Sequence, residues 1–72
     1  MRVLFIKTAG GFADWIDLDR SMTIEEFFSK HMPNCDEMDY LIRVNSQPEH
    51  QYYMLKNNDR ITIIPLEELG LI

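Results

Sequence analysis

The sequence predicts an α+β fold in which one helix packs across a mixed sheet of four to five strands. Three observations carry that prediction. Residues 54–65 read as an apolar pair, a tight polar turn and a β-branched run closed by Pro65. Thr23 and Glu26 have the Thr-x-x-Glu spacing of a capping box, directly before the one clear amphipathic helix. Short strand-like runs on both sides of that helix supply a sheet for it to cover.

In chain order, Val3, Leu4, Phe5 and Ile6 between Arg2 and Lys7 form a first strand. Gly10-Gly11 turns the chain, and residues 12–18 return as a second strand in which Ile16 and Leu18 alternate with Asp17. A Gly-Gly pair cradling phosphate needs a helix N-terminus directly behind it, and a strand follows here, so the pair reads as a hairpin turn. In the helix, Ile24, Phe27, Phe28 and His31 share one face, Met22 and Phe27 hold the staple positions, and Glu25 and Glu26 complement the N-terminal dipole. Pro33 stops it after about ten residues, because the residue before proline is pushed out of helical geometry.

Residues 33–37 form a polar connector, and residues 40–45 a third strand that Asn45-Ser46-Gln47-Pro48 turns. Residues 51–54 read as a short fourth strand or an extended segment. In the terminal run, Asn57 and Asn58 tolerate the positive φ of a sharp reversal, and Asp59 folds its carboxylate back onto backbone N–H groups. Ile61, Ile63 and Ile64 flank Thr62 in a strand whose two faces are both apolar, which places it centrally in the sheet; pairing should stop at Pro65. The order is β-β-α-β-(β)-β.

Composition limits the function classes. Seventy-two residues with 46% hydrophobic and 26% charged content make one globular domain near the lower size limit for a core without staples. The single cysteine, Cys35, excludes an internal disulfide, and no apolar run approaches the ~20 residues that span a bilayer. The expectation is a cytoplasmic protein with no membrane contact. Twelve acidic and seven basic residues give a net charge of −5, and the basic ones are scattered singly along the chain. Direct nucleic-acid binding is not expected, since phosphate recognition needs clustered Lys and Arg. The acidity suits a basic partner surface or simply solubility.

No constellation specifies catalysis, a metal or a cofactor. His31 reads as a structural residue on the apolar helix face and His50 as a solvated one. Cys35 stands beside Asp36 and Glu37, which disfavour a thiolate. Residues 36–39 lack the glycine-centred loop of a calcium site and read as a solvated loop. The aromatic residues are the more informative group. Phe12, Trp15, Tyr52 and Tyr53 exceed what one small face readily buries, and adjacent Tyr52 and Tyr53 point to opposite sides if extended. Two placements stay open for them: a second core layer, or a protein-contact surface.

Three pieces carry a resemblance. Thr23-Ile24-Glu25-Glu26-Phe27-Phe28 is similar to a Thr-Val-x-x-Leu-Leu helix start. Ile42-Arg43-Val44-Asn45 is similar to a strand ending in Val-Asn-Gly, with Ser46 for glycine. Residues 55–65 resemble Leu-x-Asp-Gly-Asp-x-Ile-x-Ile-x-Pro, with Asn57-Asn58 for Asp-Gly. In this order they resemble the ubiquitin-like β-grasp fold, and within it the ThiS/MoaD sulfur-carrier family. The resemblance implies a β-grasp domain over residues 1–66 and a tail over 67–72. In that family a C-terminal Gly-Gly is adenylated and converted to a thiocarboxylate, and glycine suits a tail that must thread into an activating enzyme. Here Gly70 is preceded by Leu69 and followed by Leu71 and Ile72.

The expectation is therefore a non-catalytic ubiquitin-like protein that binds a protein partner noncovalently, through Trp15, Tyr52, Tyr53 and the tail residues Leu69, Gly70, Leu71 and Ile72. Its partner would be an adenylating enzyme or another protein with a basic surface. Two alternatives stand beside it: a sulfur carrier or protein modifier activated at a processed Gly70, and an acidic inhibitor that mimics nucleic acid.

Overall fold

The helix forms as its capping residues dictate. The computed structural model describes residues 1–71, and in it the helix α1 spans Ile24–His31. The Glu26 N–H donates to Thr23 Oγ1 at 3.1 Å, and Glu26 Oε1 accepts from the Thr23 N–H at 3.2 Å. The N–H groups of Ile24 and Glu25 donate to the carbonyls of Tyr53 and Gln51, both at 3.0 Å, so the first-turn donors are met from a distant segment. Ile24, Phe27 and Phe28 are buried. Met32, with non-helical angles, ends the helix before Pro33, and its N–H closes the last turn on Phe28 O.

Five strands make the sheet, in the order β2-β1-β5-β3-β4. They are β1 (Arg2–Lys7), β2 (Phe12–Asp17), β3 (Tyr40–Val44), β4 (Gln47–Pro48) and β5 (Arg60–Pro65). β1 and β5 run parallel, and the other pairs are antiparallel. The β1–β2 hairpin turns through Ala9–Gly11, where Gly10 and Gly11 both take positive φ that side chains disfavour. β5 lies between β1 and β3, as its apolar composition predicts, and Pro65 is its last residue, opposite Tyr40.

The fourth strand differs from the expectation. Asn45 (φ 52°) and Ser46 (φ 71°) alone make the turn, a two-residue reversal of the kind that joins twisted strands. Gln47 and Pro48 then pair back onto Val44 and Arg43. Proline is tolerated there because β4 is an edge strand. Residues 51–54 stay out of the sheet. Their backbone serves the helix N-terminus instead, with Met54 bridged to Thr23 and the Leu55 N–H donating to Met22 O.

One core lies between α1 and the sheet. Val3, Phe5, Ile61, Ile63 and Val44 face Ile24, Phe27 and Phe28, with Leu18, Met22 and Leu55 closing the ends. Phe5 and Phe27 meet edge to face at 5.1 Å between ring centres, an arrangement favoured by the ring quadrupoles. Burying each such side chain stabilises the fold by about 1.5–3 kcal/mol.

Candidate functional site

The helix covers one face of the sheet, and among the described residues no second α-helix lies across the other. Side chains alternate along a strand, and directly paired residues point to the same side. Val3 and Phe5 face the helix, so Arg2, Leu4 and Ile6 face outward. The register carries this across the sheet. Trp15, Leu4 and Arg60 form one row, then Ala13, Ile6, Thr62 and Arg43 the next, and Ile64 with Leu41 a third. Leu4, Ile6, Leu41 and Ile64 are only half-buried, and Trp15 is 43% exposed. The result is an apolar patch on an open sheet face.

Trp15 is held in place by two contacts. The Arg2 guanidinium lies 4.3 Å from its ring centre, a cation–π stack. The Trp15 N–H donates to Asp14 Oδ1 at 2.8 Å. That bond matters because β2 is an edge strand: a neighbouring carboxylate occupies a backbone donor that a foreign strand would otherwise seek.

Tyr52 and Tyr53 part company, though not by strand alternation: Tyr52 lies in a turn closed by the Tyr53 N–H donating to His50 O at 2.8 Å. Tyr52 is 61% exposed and its ring lies 5.0 Å from that of His50. Tyr53 packs on the core, and its hydroxyl donates to Asp59 Oδ2 at 3.0 Å. Burial first, and then that bond to a carboxylate, raise the Tyr53 hydroxyl above the usual tyrosine range. Asp59 is itself buried. It also accepts from Asn45 Nδ2 at 2.9 Å and the Lys56 N–H at 2.8 Å, which ties the β3–β4 turn to the approach to β5. Tyr52 and Trp15 therefore do not form one site with Tyr53's hydroxyl, which is committed to the interior.

The tail folds back on the domain. Leu66–Leu69 wind into one tight turn, capped by Gly70 in a left-handed conformation (φ 72°). The Leu71 N–H donates to Leu66 O at 3.1 Å, and Thr8 Oγ1 donates to Glu68 Oε2 at 2.7 Å, beside the β1–β2 turn. Leu69 and Leu71 are exposed, at 44% and 66%. Ile72, the last of the expected contact residues, lies outside the described residues.

Elsewhere the side chains do not converge on chemistry. His31 stacks on Phe27 at 4.4 Å, its Nε2 is buried without a partner, and burial together with Lys30 lowers its pKa. The neutral imidazole is thus favoured, contrary to the positive one that a helix C-terminus would suit. A cleft of about 270 Å³ beside it is lined by Lys7, His31, Met32, Cys35, Tyr40 and Pro65 among others. Asp36 Oδ1 accepts from the Met38 N–H, a local turn within residues 36–39. Among the described residues no three His, Cys, Asp or Glu side chains are placed to hold a metal, and no helix is long and apolar enough to cross a membrane.

The sequence leaves one grouping unread. Arg2, Arg43 and Arg60 are far apart in the chain, yet the register puts all three on the open face. Strand parity alone would have turned each outward; only the pairing brings them together. No known family model matches the chain, and neither does any curated protein sequence.

Proposed function

We propose that the chain is a small non-catalytic protein of the ubiquitin-like β-grasp kind, similar to ThiS/MoaD carriers in pattern, that works by binding another protein noncovalently. One observation carries this reading. The open sheet face carries exposed Trp15 and half-buried Leu4, Ile6, Leu41 and Ile64, with no α-helix across them among the described residues. Apolar side chains gathered on one side of so small a domain mark a contact surface. Away from that face, the chain's net charge of −5 suits a basic-surfaced partner.

The carrier alternative has less behind it. Leu69 occupies the place of the first glycine in the pair, and the tail is wound rather than extended, held by the Thr8–Glu68 bond. Activation of a carboxylate needs a slim, threaded tail. Intact mass of the protein from its native host separates the two. An unmodified chain fits the binding module, whereas a form ending at Gly70 with one oxygen replaced by sulfur would establish the carrier. For the module itself, a photo-crosslinking amino acid at position 15 should give a defined protein adduct in cells, and the same group at position 38 should not give it. Equal labelling from both positions would defeat the assignment of the open face.

A further inference from the structure

Resting on that reading of the open face, we infer that its partner presents an acidic amphipathic segment, with apolar side chains bordered by a row of Asp or Glu. The arrangement of arginines is the reason. Arg2 lies on β1, Arg60 one strand across and one row further along on β5, and Arg43 one more strand and row along on β3. They form a diagonal, with neighbours about 8 Å apart at the backbone from ordinary strand and residue spacing. The apolar side chains Trp15, Leu4, Ile6, Ile64 and Leu41 all lie on the same side of it.

The three guanidinium groups are open to carboxylates. All three residues are exposed, and among the described residues the ion pair present is Arg20–Glu26, away from this face. The Arg2 guanidinium stacks on Trp15 and one Arg60 guanidinium N–H donates to Ser46 Oγ, contacts that orient both groups and leave further N–H donors available. Asp17, opposite Arg2, is the acidic strand residue on this side. Apart from Asp14 and Asp17, every Asp and Glu lies outside the strands. A chain of net charge −5 thus sets three arginines along the border of the apolar patch on its open sheet face.

That combination selects a protein segment over a nucleic acid. A nucleic acid finds the Trp15 ring already stacked by Arg2 and gains little from the aliphatic Leu4, Ile6, Ile64 and Leu41, whereas an acidic amphipathic segment satisfies both halves of the surface. Arginine also suits such a face, since its planar donors grip carboxylates in pairs while its stem lies on apolar neighbours.

The test is selection from a displayed library of random 16-residue peptides on the immobilised full chain, followed by titration of synthetic peptides and of a 16-nucleotide single-stranded RNA. Peptides rich in Asp and Glu between apolar residues should emerge. Their affinity should fall about tenfold or more in Arg43→Glu and in Arg60→Glu, fall less in Arg43→Lys, which keeps the charge but loses the planar fork, and weaken with salt. Both positions are exposed, and a thermal melt confirms that each variant is folded. Peptides that need Trp15 but are neutral or basic, or that ignore both reversals, would overturn the acidic partner and leave the contact face standing. Selection of no peptide that depends on Trp15 would remove the contact face and the inference with it. Tighter binding of the RNA than of any selected peptide, with the same arginine dependence, would also overturn it.

Discussion

The two faces of the sheet are built from the same five strands and do opposite work. On the covered face Val3, Phe5, Ile61 and Ile63 are removed from water by the helix, and the charged residues that share this face, Lys7 and Asp14, stand at the end of β1 and on the edge strand β2. On the open face Leu4, Ile6, Ile64 and Leu41 stay half-buried, and arginines stand beside them. Because successive residues of one strand serve both faces, Ile63 and Ile64 differ in environment while sharing a backbone. That contrast separates what holds the fold from what is free to meet a partner.

The comparison breaks if the covered face proves dispensable. Phe27→Ala should cost about 3–5 kcal/mol in equilibrium unfolding, and Ile61→Ala about 2–5 kcal/mol, because each leaves a cavity between helix and sheet. Next in size is Asp59→Ala. It strands the Tyr53 hydroxyl, the Asn45 amide and the Lys56 N–H near a buried site, and should cost about 3 kcal/mol by denaturant melts. Thr23→Ala removes the cap that fixes the helix on the covered face and should cost about 1 kcal/mol.

A smaller effect reports on the rim of the core. The His31 pKa is lowered in the fold, so the unfolded chain takes up its proton first as pH falls. The native chain loses stability through the window below the ordinary histidine value of about 6.5, and the loss levels off once the folded form is protonated too. His31→Gln should flatten that part of the stability–pH curve, measured as Tm between pH 7.5 and 5. A curve unchanged by the substitution would show that burial does not hold the imidazole's pKa down in the fold. Least of all, Ile64→Thr on the open face should stay within about 1 kcal/mol of the parent.

Much of the architecture was legible because local chemistry and the fold agree. The capping box, the Ile24–Phe27–Phe28 face, the Gly10-Gly11 turn and the β5 run each satisfy a short-range rule that tertiary packing then reuses. The fourth strand was misplaced where two rules compete. Pro48 argues against a strand, yet the positive φ of Asn45 and Ser46 closes a tight hairpin that makes Gln47-Pro48 a short edge. Gln51-Tyr52-Tyr53-Met54 has strand composition, but the carbonyls of Gln51 and Tyr53 accept from the helix N-terminus instead.

The candidate surface was half legible. The aromatic surplus pointed to Phe12, Trp15, Tyr52 and Tyr53 as a group but left core and surface placements open, and the fold divides them, with Trp15 and Tyr52 exposed and Tyr53 packed on the core. The arginine diagonal does not, since it exists only once β1, β5 and β3 are set in register. Nor does sequence reveal that Tyr53 spends its hydroxyl on Asp59 or that the tail winds up on itself.

The central claim is that stability resides on the covered face and recognition on the open one. It is tested most directly by measuring Tm and acidic-peptide affinity together for Trp15→Ala and Ile61→Ala. Trp15→Ala should keep Tm within about 5 °C of the parent while the affinity falls at least tenfold, and Ile61→Ala should lower Tm by about 10 °C or more. A Trp15→Ala protein that melts as early as Ile61→Ala, or that binds the peptide as well as the parent, would contradict the account.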